Sequence, residues 1–372
     1  MLTKQTVITR RIEVFVNEDD SNQRNAYYQT LRKWQEACRA GANLIASSLY
    51  ALDQQQALSR ILQPDILTKL ADRAKDPDGI LSTSYQNTAY RLLSAKYKGD
   101  VPADILACLA QDVRANYVAD KPKLLSGKIS LRSYGDSNPF PASATEWLRK
   151  IEWVEEKRNY RLRLHNVPLQ TNFGRDHSGN RLIIDRAVSG EYTLCQSKLQ
   201  FKGRKMYWLA TVRIPIQSRN LRDDRTVYAE LSIDAPLKAR FGEEVIDIGD
   251  KQAFLHKRLS IRQAIQRLKP ALRDAAGGRG RAKKLKAQTR FRDVEKNYVN
   301  TQLHTYTIRL INWCIKQNAA KLVLVKSTTK QDKVNEESET DREFVLRSWT
   351  YHGLTEKIKY KAAREGITVL IE

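Results

Sequence analysis

The stretch KLVLVKSTTK, Lys321 to Lys330, alternates aliphatics like a buried parallel strand and then delivers Lys326 where such a strand leaves its sheet. Open α/β sheets place their chemistry at the carboxyl ends of strands. A metal-dependent nuclease needs a carboxylate at that point, because a divalent cation takes anionic oxygen ligands. A lysine ammonium offers the opposite charge. The other chemistry-bearing patterns are cationic. Between Lys251 and Asn300 there are 15 Lys and Arg against 3 Asp and Glu, among them Arg258, Arg262, Arg267, Lys269, Arg279, Arg281, Lys283, Lys284, Lys286 and Arg290. Clustered charge with so few balancing acids follows a phosphate backbone and needs little base specificity.

A second set, Arg132, Arg161, Arg163, Lys202, Arg204 and Lys205, is interleaved with Tyr134, Tyr160, Phe201 and Tyr207. Aromatics beside cations stack on unpaired bases while the cations hold the backbone, although the same rings also fill β cores. In STSYQNTAYR, helical spacing brings Ser84, Asn87 and Arg91 close to one face with Tyr90 beside them. Those residue types read base edges in a groove.

The chain that must position these groups has 372 residues, a soft prior for two or three domains. Its 65 Lys and Arg against 42 Asp and Glu give a net charge of +23, which implies a polyanionic partner, nucleic acid first. No stretch approaches the length of an apolar membrane span, and MLTKQTVITRRIEVFV lacks the layout of a signal peptide. A cytoplasmic, nucleoid-associated bacterial protein fits. The cysteines Cys38, Cys108, Cys195 and Cys314 form no CxxC pair and read as core thiols. The five histidines form no HxxxH or HxH pair, and phosphate loops of the GxxxxGK[ST] or GxGxxG type are missing. No cofactor and no metal site are expected.

Residues 5 to 16 read as a strand, and the apolar spacing of Leu31, Trp34, Ala37, Cys38, Ala42 and Ile45 predicts a long helix from Asn25 to about Leu52. More helix continues to about Asp120. From SLRSYGDSNPFPAS to KMYWLATVRIPI the segments are short, β-branched or aromatic and bounded by Gly, Pro and Asn, which predicts a small β barrel or sandwich. The first strand joins it, so the helices interrupt a β domain. From Val227 the order strand, long basic helices, strand, helix, strand predicts an α/β domain with a mainly parallel sheet.

YWLATVRIPIQ, LSIDAPLKARFG, the basic helices up to AAKLVLV, and LRSWTYHGLTEKIKYKAAREGITVLIE, in this order and spacing, resemble the miniature type V CRISPR effectors and the TnpB nucleases. Upstream, SGKISLRSYGDSNPFPAS is similar to the point where the family's wedge domain resumes. The resemblance implies an α+β multidomain fold. A β-barrel wedge over residues 1–20 and 126–226 would hold an inserted helical recognition module over 21–125, with a degenerate RuvC-like (RNase H-like) domain over 227–372. It implies a guide RNA and target double-stranded DNA as partners, with base pairing supplying specificity. Ser84, Asn87, Tyr90 and Arg91 would read the flanking motif, and the two cationic sets would hold guide RNA and heteroduplex. A homodimer sharing one guide is among its implications.

Active members use three RuvC carboxylates for two metals. Here LSIDAP keeps Asp234 but carries Ala235 and Pro236 in place of the family's permissive glycine region, Lys326 stands in the second position, and the chain stops at Glu372 before a zinc ribbon and the third. The expectation is therefore a nuclease-inactive protein, not an enzyme, that regulates transcription through an extracytoplasmic-function sigma factor and RNA polymerase, or represses by promoter occupancy. A residual nuclease built on Asp234, Asp247, Asp250 or Glu372, and a plain RNA-binding protein, are the alternatives.

Overall fold

Alternation in QTVITRRIEVFV forms β1 (Gln5–Val16), sending Ile8, Ile12, Val14 and Val16 into a core and Arg11 and Phe15 to solvent. The structure, a computed structural model, describes residues 5–62, 84–176, 178–216, 219–230, 235–273, 281–325 and 351–372. They fall into two compact units, Val7–Ile214 and Pro215–Glu372, the latter with the chain's first residues.

In the first unit Asp20 caps α1 (Ser21–Leu62), its carboxylate accepting from the N–H groups of Asn22 and Gln23 at 3.2 Å each. The expected helical face is buried, with Leu31, Trp34, Cys38, Ala42 and Ile45 all inside. Two further helices, α2 (Tyr85–Tyr97) and α3 (Ala103–Leu125), pack on it. Close approach depends on Gly41, where an added Cβ would stand 2.5 Å from Leu93 Cδ2.

The strands of this unit are β2 (Phe140–Ala142), β3 (Glu152–Val154), β4 (Asn159–Leu164), β5 (Val167–Asn172), β6 (Thr193–Leu194), β7 (Ser197–Lys202) and β8 (Lys205–Pro215). With β1 they make one eight-stranded sheet in the order β2-β7-β8-β1-β5-β4-β3, β6 pairing with β8. The chain's first strand therefore sits mid-sheet, with α1 to α3 between it and the next strand in sequence. The described pairings trace an open path from β2 to β3, and the barrel closure expected from the sequence is not among them. Two short helices, α4 (Ala144–Leu148) and α5 (Asn180–Val188), flank the sheet strands in sequence. Trp147 of α4 stacks on Trp208 of β8, ring centroids 5.1 Å apart.

The second unit contains β9 (Arg222–Glu230), β10 (Leu237–Phe241), β11 (Glu244–Ile248), α6 (Lys251–Arg273), α7 (Arg281–Lys316), β12 (Ala319–Val325), α8 (Tyr351–Arg364) and β13 (Thr368–Ile371). Its sheet runs β11-β10-β9-β12-β13. The mainly parallel sheet expected from the sequence is corrected to a mixed one: β10 pairs antiparallel with both β9 and β11, whereas the β9–β12 and β12–β13 pairings are parallel. The cause is β10, a strand not expected from the sequence. Its LKARF alternation buries Leu237 and Ala239, and a two-residue link at Gly242, φ 59°, can only return the chain antiparallel. Val227, Ala229, Leu322 and Leu324 on the sheet meet Leu310, Cys314, Leu354 and Ile358 on α7 and α8.

Cys38, Cys108 and Cys314 are buried and free, and burial pushes each thiol up to about 12, so they are inert core groups. Among the described residues no helix is long and apolar enough to cross a membrane.

Candidate nucleic-acid interface

The alternation of β4 that sends Leu162 and Leu164 into the core leaves Arg161 and Arg163 on the opposite face. Arg161 lies between Glu152 on β3 and Gln170 on β5, and Arg163 faces Pro168. With Arg149 and Lys150, just beyond α4, and Tyr27 of α1, these arginines line a cavity of about 550 Å³. Four cations meet two carboxylates there, Glu18 and Glu152. The Arg161 Nε is buried without a hydrogen-bond partner. Excess positive charge and an aromatic wall suit the phosphate and base of an unpaired nucleotide.

The β7–β8 hairpin turns at Gly203, φ 61°, and exposes Lys202 and Arg204. Lys205 is exposed but paired with Glu13 at 2.9 Å. Arg132 is likewise engaged, donating to Asp120 at 2.8 and 3.0 Å. Tyr134 is not a stacking platform: it is 8% exposed, and the Asn43 amide brackets its backbone N–H and C=O at 2.9 Å each. Phe201 and Tyr160 are also core residues, at 5% each. The sequence could not separate Phe201 and Tyr160 from solvent-facing rings because both kinds occupy alternating strand positions.

On the helical side Ser84 is the N-cap of α2, its Oγ accepting from the Asn87 N–H at 3.3 Å, so its hydroxyl is engaged in starting the helix. Asn87 and Arg91 are exposed, while Tyr90 is half-buried against the core. The start of α2 is fixed by a network the sequence did not reveal. Asp53 of α1, 4% exposed, accepts from Tyr117 at 2.5 Å, from Lys121 at 2.9 Å and from Tyr85. Burial pushes the Asp53 carboxyl up, but hydrogen bonds from Tyr117, Tyr85 and Lys121 outweigh it and hold the group below its ordinary range.

In the second unit Arg258 is a correction. It is 8% exposed and donates through Nε and Nη2 to Glu295 at 2.9 and 2.7 Å, joining α6 to α7 rather than facing a nucleic acid. Arg262 is half-buried. Arg267, Lys269, Lys286 and Arg290 are exposed on the same two helices. Arg281, Lys283 and Lys284 lie in the first turn of α7, and Arg279 lies outside the described residues.

Asp234 and Lys326 also lie outside the described residues. Of what surrounds them in sequence, Glu230 at the end of β9 is the register partner of Val325 at the end of β12, and the Glu372 N–H donates to the Leu324 carbonyl at 3.0 Å. Asp250 caps α6, accepting from the N–H groups of Gln252 and Ala253 at 2.8 and 3.3 Å, and Asp247 faces Lys238 at 4.0 Å. Among the described residues no group of three or more His, Cys, Asp or Glu side chains is arranged to hold a metal.

A two-unit α/β chain with a helix-interrupted sheet and a five-stranded mixed sheet has solved counterparts. The backbone matches the Cas12f1 chain of a Cas12f1–sgRNA–target DNA complex with a TM-score of 0.68, over 98% of this chain and 88% of that one, at 12% identity. In sequence the chain is 26% identical over 196 residues to the CRISPR-associated endodeoxyribonuclease Cas12f1 of Sulfoacidibacillus thermotolerans. That match covers 51% of this chain and 44% of the relative. It is 27% identical over 205 residues to the Cas12f1 of Syntrophomonas palmitatica, covering 52% of this chain and 40% of the relative. The matched stretches thus span less than half the length of either relative. No family model matches. In sequence the chain is thus similar to Cas12f1 proteins over about half its length, and in backbone to a Cas12f1 chain over nearly all of it.

They also correct one expectation. Both relatives are endodeoxyribonucleases, which are enzymes, so the reading of this chain as a non-enzyme does not stand. It rested on Asp234, Lys326 and the position of the last residue, none of which carries structural support.

Proposed function

We propose that the chain is an RNA-guided DNA-targeting effector that binds a guide RNA and matched double-stranded DNA. The observation that carries this reading is the cationic cavity of the β sheet, with Arg149, Lys150, Arg161 and Arg163 around Tyr27, on a backbone of Cas12f1 type. The division into wedge, helical recognition module and RuvC-like domain is part of the proposal. Three antiparallel strands and then two parallel ones, with helices in the connections, support an RNase H-like reading of the second unit. Asn87 and Arg91, exposed on a helix whose start is fixed by the Asp53 network, suit the flanking-motif role.

The relatives' names favour guide-directed cleavage of DNA as the outcome of binding. Regulation of transcription, by recruiting a sigma factor and RNA polymerase or by occupying a promoter, requires only stable binding and is the finer reading. Sequencing the RNA that co-purifies with the protein tests the core of the proposal. A discrete RNA with a constant scaffold and a variable end supports it; random cellular RNA overturns it. Adding matched duplex and Mg²⁺ to the complex then separates cutting from holding. The double variant Arg161→Ala/Arg163→Ala should weaken guide RNA binding and flatten its log–log salt dependence by about one for each phosphate no longer neutralised.

A further inference from the structure

Helix α8 places Lys357, Lys361 and Arg364 at i, i+4 and i+7, along one face, and packs on α7 beside His304. All four side chains are half-buried. The Lys361 ammonium donates to the His304 backbone carbonyl at 2.8 Å, which fixes its position and leaves further N–H donors over. The Arg364 Nε is buried with no hydrogen-bond partner. Neighbouring carboxylates are engaged elsewhere: Glu356 pairs with Lys359 at 3.4 Å and Glu365 with Arg219 at 2.6 Å. Burial and the charges of Lys357 and Arg364 push Lys361 down to about 8, and burial, Lys357 and Lys361 lower His304. Among the described residues nothing anionic answers this group, so three cations repel one another in a setting already stripped of much of its water.

We propose that the Lys357–Lys361–Arg364 cluster is an anion site for phosphodiester groups of a nucleic-acid strand. The non-bridging oxygens accept from the Lys361 ammonium and from the Arg364 guanidinium, while Lys357, one turn away, meets the next phosphate. A strand supplies a row of charges to a row of cations; a single carboxylate answers only one of them. The site is additional to the cavity at β4 and rests on the proposed function only for the source of the phosphate.

The test uses the full chain with Lys357→Gln, which keeps the Lys361–His304 bond, and Arg364→Gln as a second variant. Thermal melts compare inorganic phosphate with chloride at equal ionic strength, and binding of single-stranded RNA and DNA oligonucleotides is titrated against salt. Removing a repelling charge should leave the variants melting at or above the wild-type temperature without phosphate and make them respond less to it. Oligonucleotide affinity should fall roughly 3- to 10-fold, with the log–log salt slope reduced by about one. A lower melting temperature with an unchanged salt slope overturns the proposal and marks a structural role. A lost phosphate response with unchanged oligonucleotide binding assigns the site to free phosphate and overturns the nucleic-acid assignment. Because any single strand serves as probe, these outcomes are independent of whether a guide co-purifies.

Discussion

Two charged side chains, one in each unit, are treated in opposite ways. In the first, Asp53 is answered by three donors from two other helices, and the network ties α1, α2 and α3 together. In the second, Lys361 is held beside two further cations, and its hydrogen bond goes to a neutral carbonyl. A closed polar network stabilises a fold by itself, whereas an open cationic one raises the free energy of the isolated chain and lowers it again when a polyanion arrives. The difference teaches where structure ends and binding begins on a chain whose net charge of +23 would otherwise make every lysine look like a contact.

Asp53→Ala attacks the closed network directly. It leaves the Tyr85 hydroxyl and the Lys121 ammonium without their carboxylate, and unfolding in urea should show a loss of about 2–3 kcal/mol, tempered because Lys121 reaches solvent. A loss well below that would mean the network is dispensable and the contrast is empty. Arg258→Ala asks whether the buried ion pair described in the second unit behaves like the first unit's network. Removing the guanidinium from Glu295 should cost about 1–2 kcal/mol by the same measurement, since the remaining carboxylate is partly solvated.

Lys361 should respond to pH with a characteristic sign. Its ammonium titrates near 8 in the folded chain and near its ordinary 10.5 when unfolded, so the unfolded state holds more protons between those values. The stability of wild type minus that of Lys361→Gln should therefore rise from pH 8 to pH 10. The groups acting on it, Lys357 and Arg364 with His304 alongside, supply no opposing acid. A flat or falling difference would show the cluster to be compensated. The smallest effect is expected at Arg132, whose exposed pair with Asp120 should be worth less than about 1 kcal/mol in a double-mutant cycle.

Much of the element order was legible in the sequence. The period-2 pattern of β1 and β8 and the three-and-four spacing of α1 are strong because one face of each is largely apolar and buried. β10 was not legible: five residues with charges at alternate positions look like a linker until β9 and β11 supply its hydrogen bonds. The candidate site was half legible. Arg161 and Arg163 stood out as strand cations, but Arg149, Lys150 and Tyr27, brought to the same cavity from distant stretches, carry no local signal. Nor do Lys357, Lys361 and Arg364, whose charges look ordinary on an amphipathic helix.

What the sequence determined by itself was the charge, the alternation and periodicity of most elements, and the order of segments resembling the miniature type V effectors. These are properties of neighbours along the chain. Which cations are spent inside the fold and which remain for a partner was decided by tertiary structure alone. Arg258 and Arg161 look alike in sequence, yet one meets Glu295 across a helix pair and the other lines a cavity. The physical reason is that a charge is neutralised by what lies within a few ångströms of it in space, and the residues that do so arrive from parts of the chain that sequence spacing does not connect.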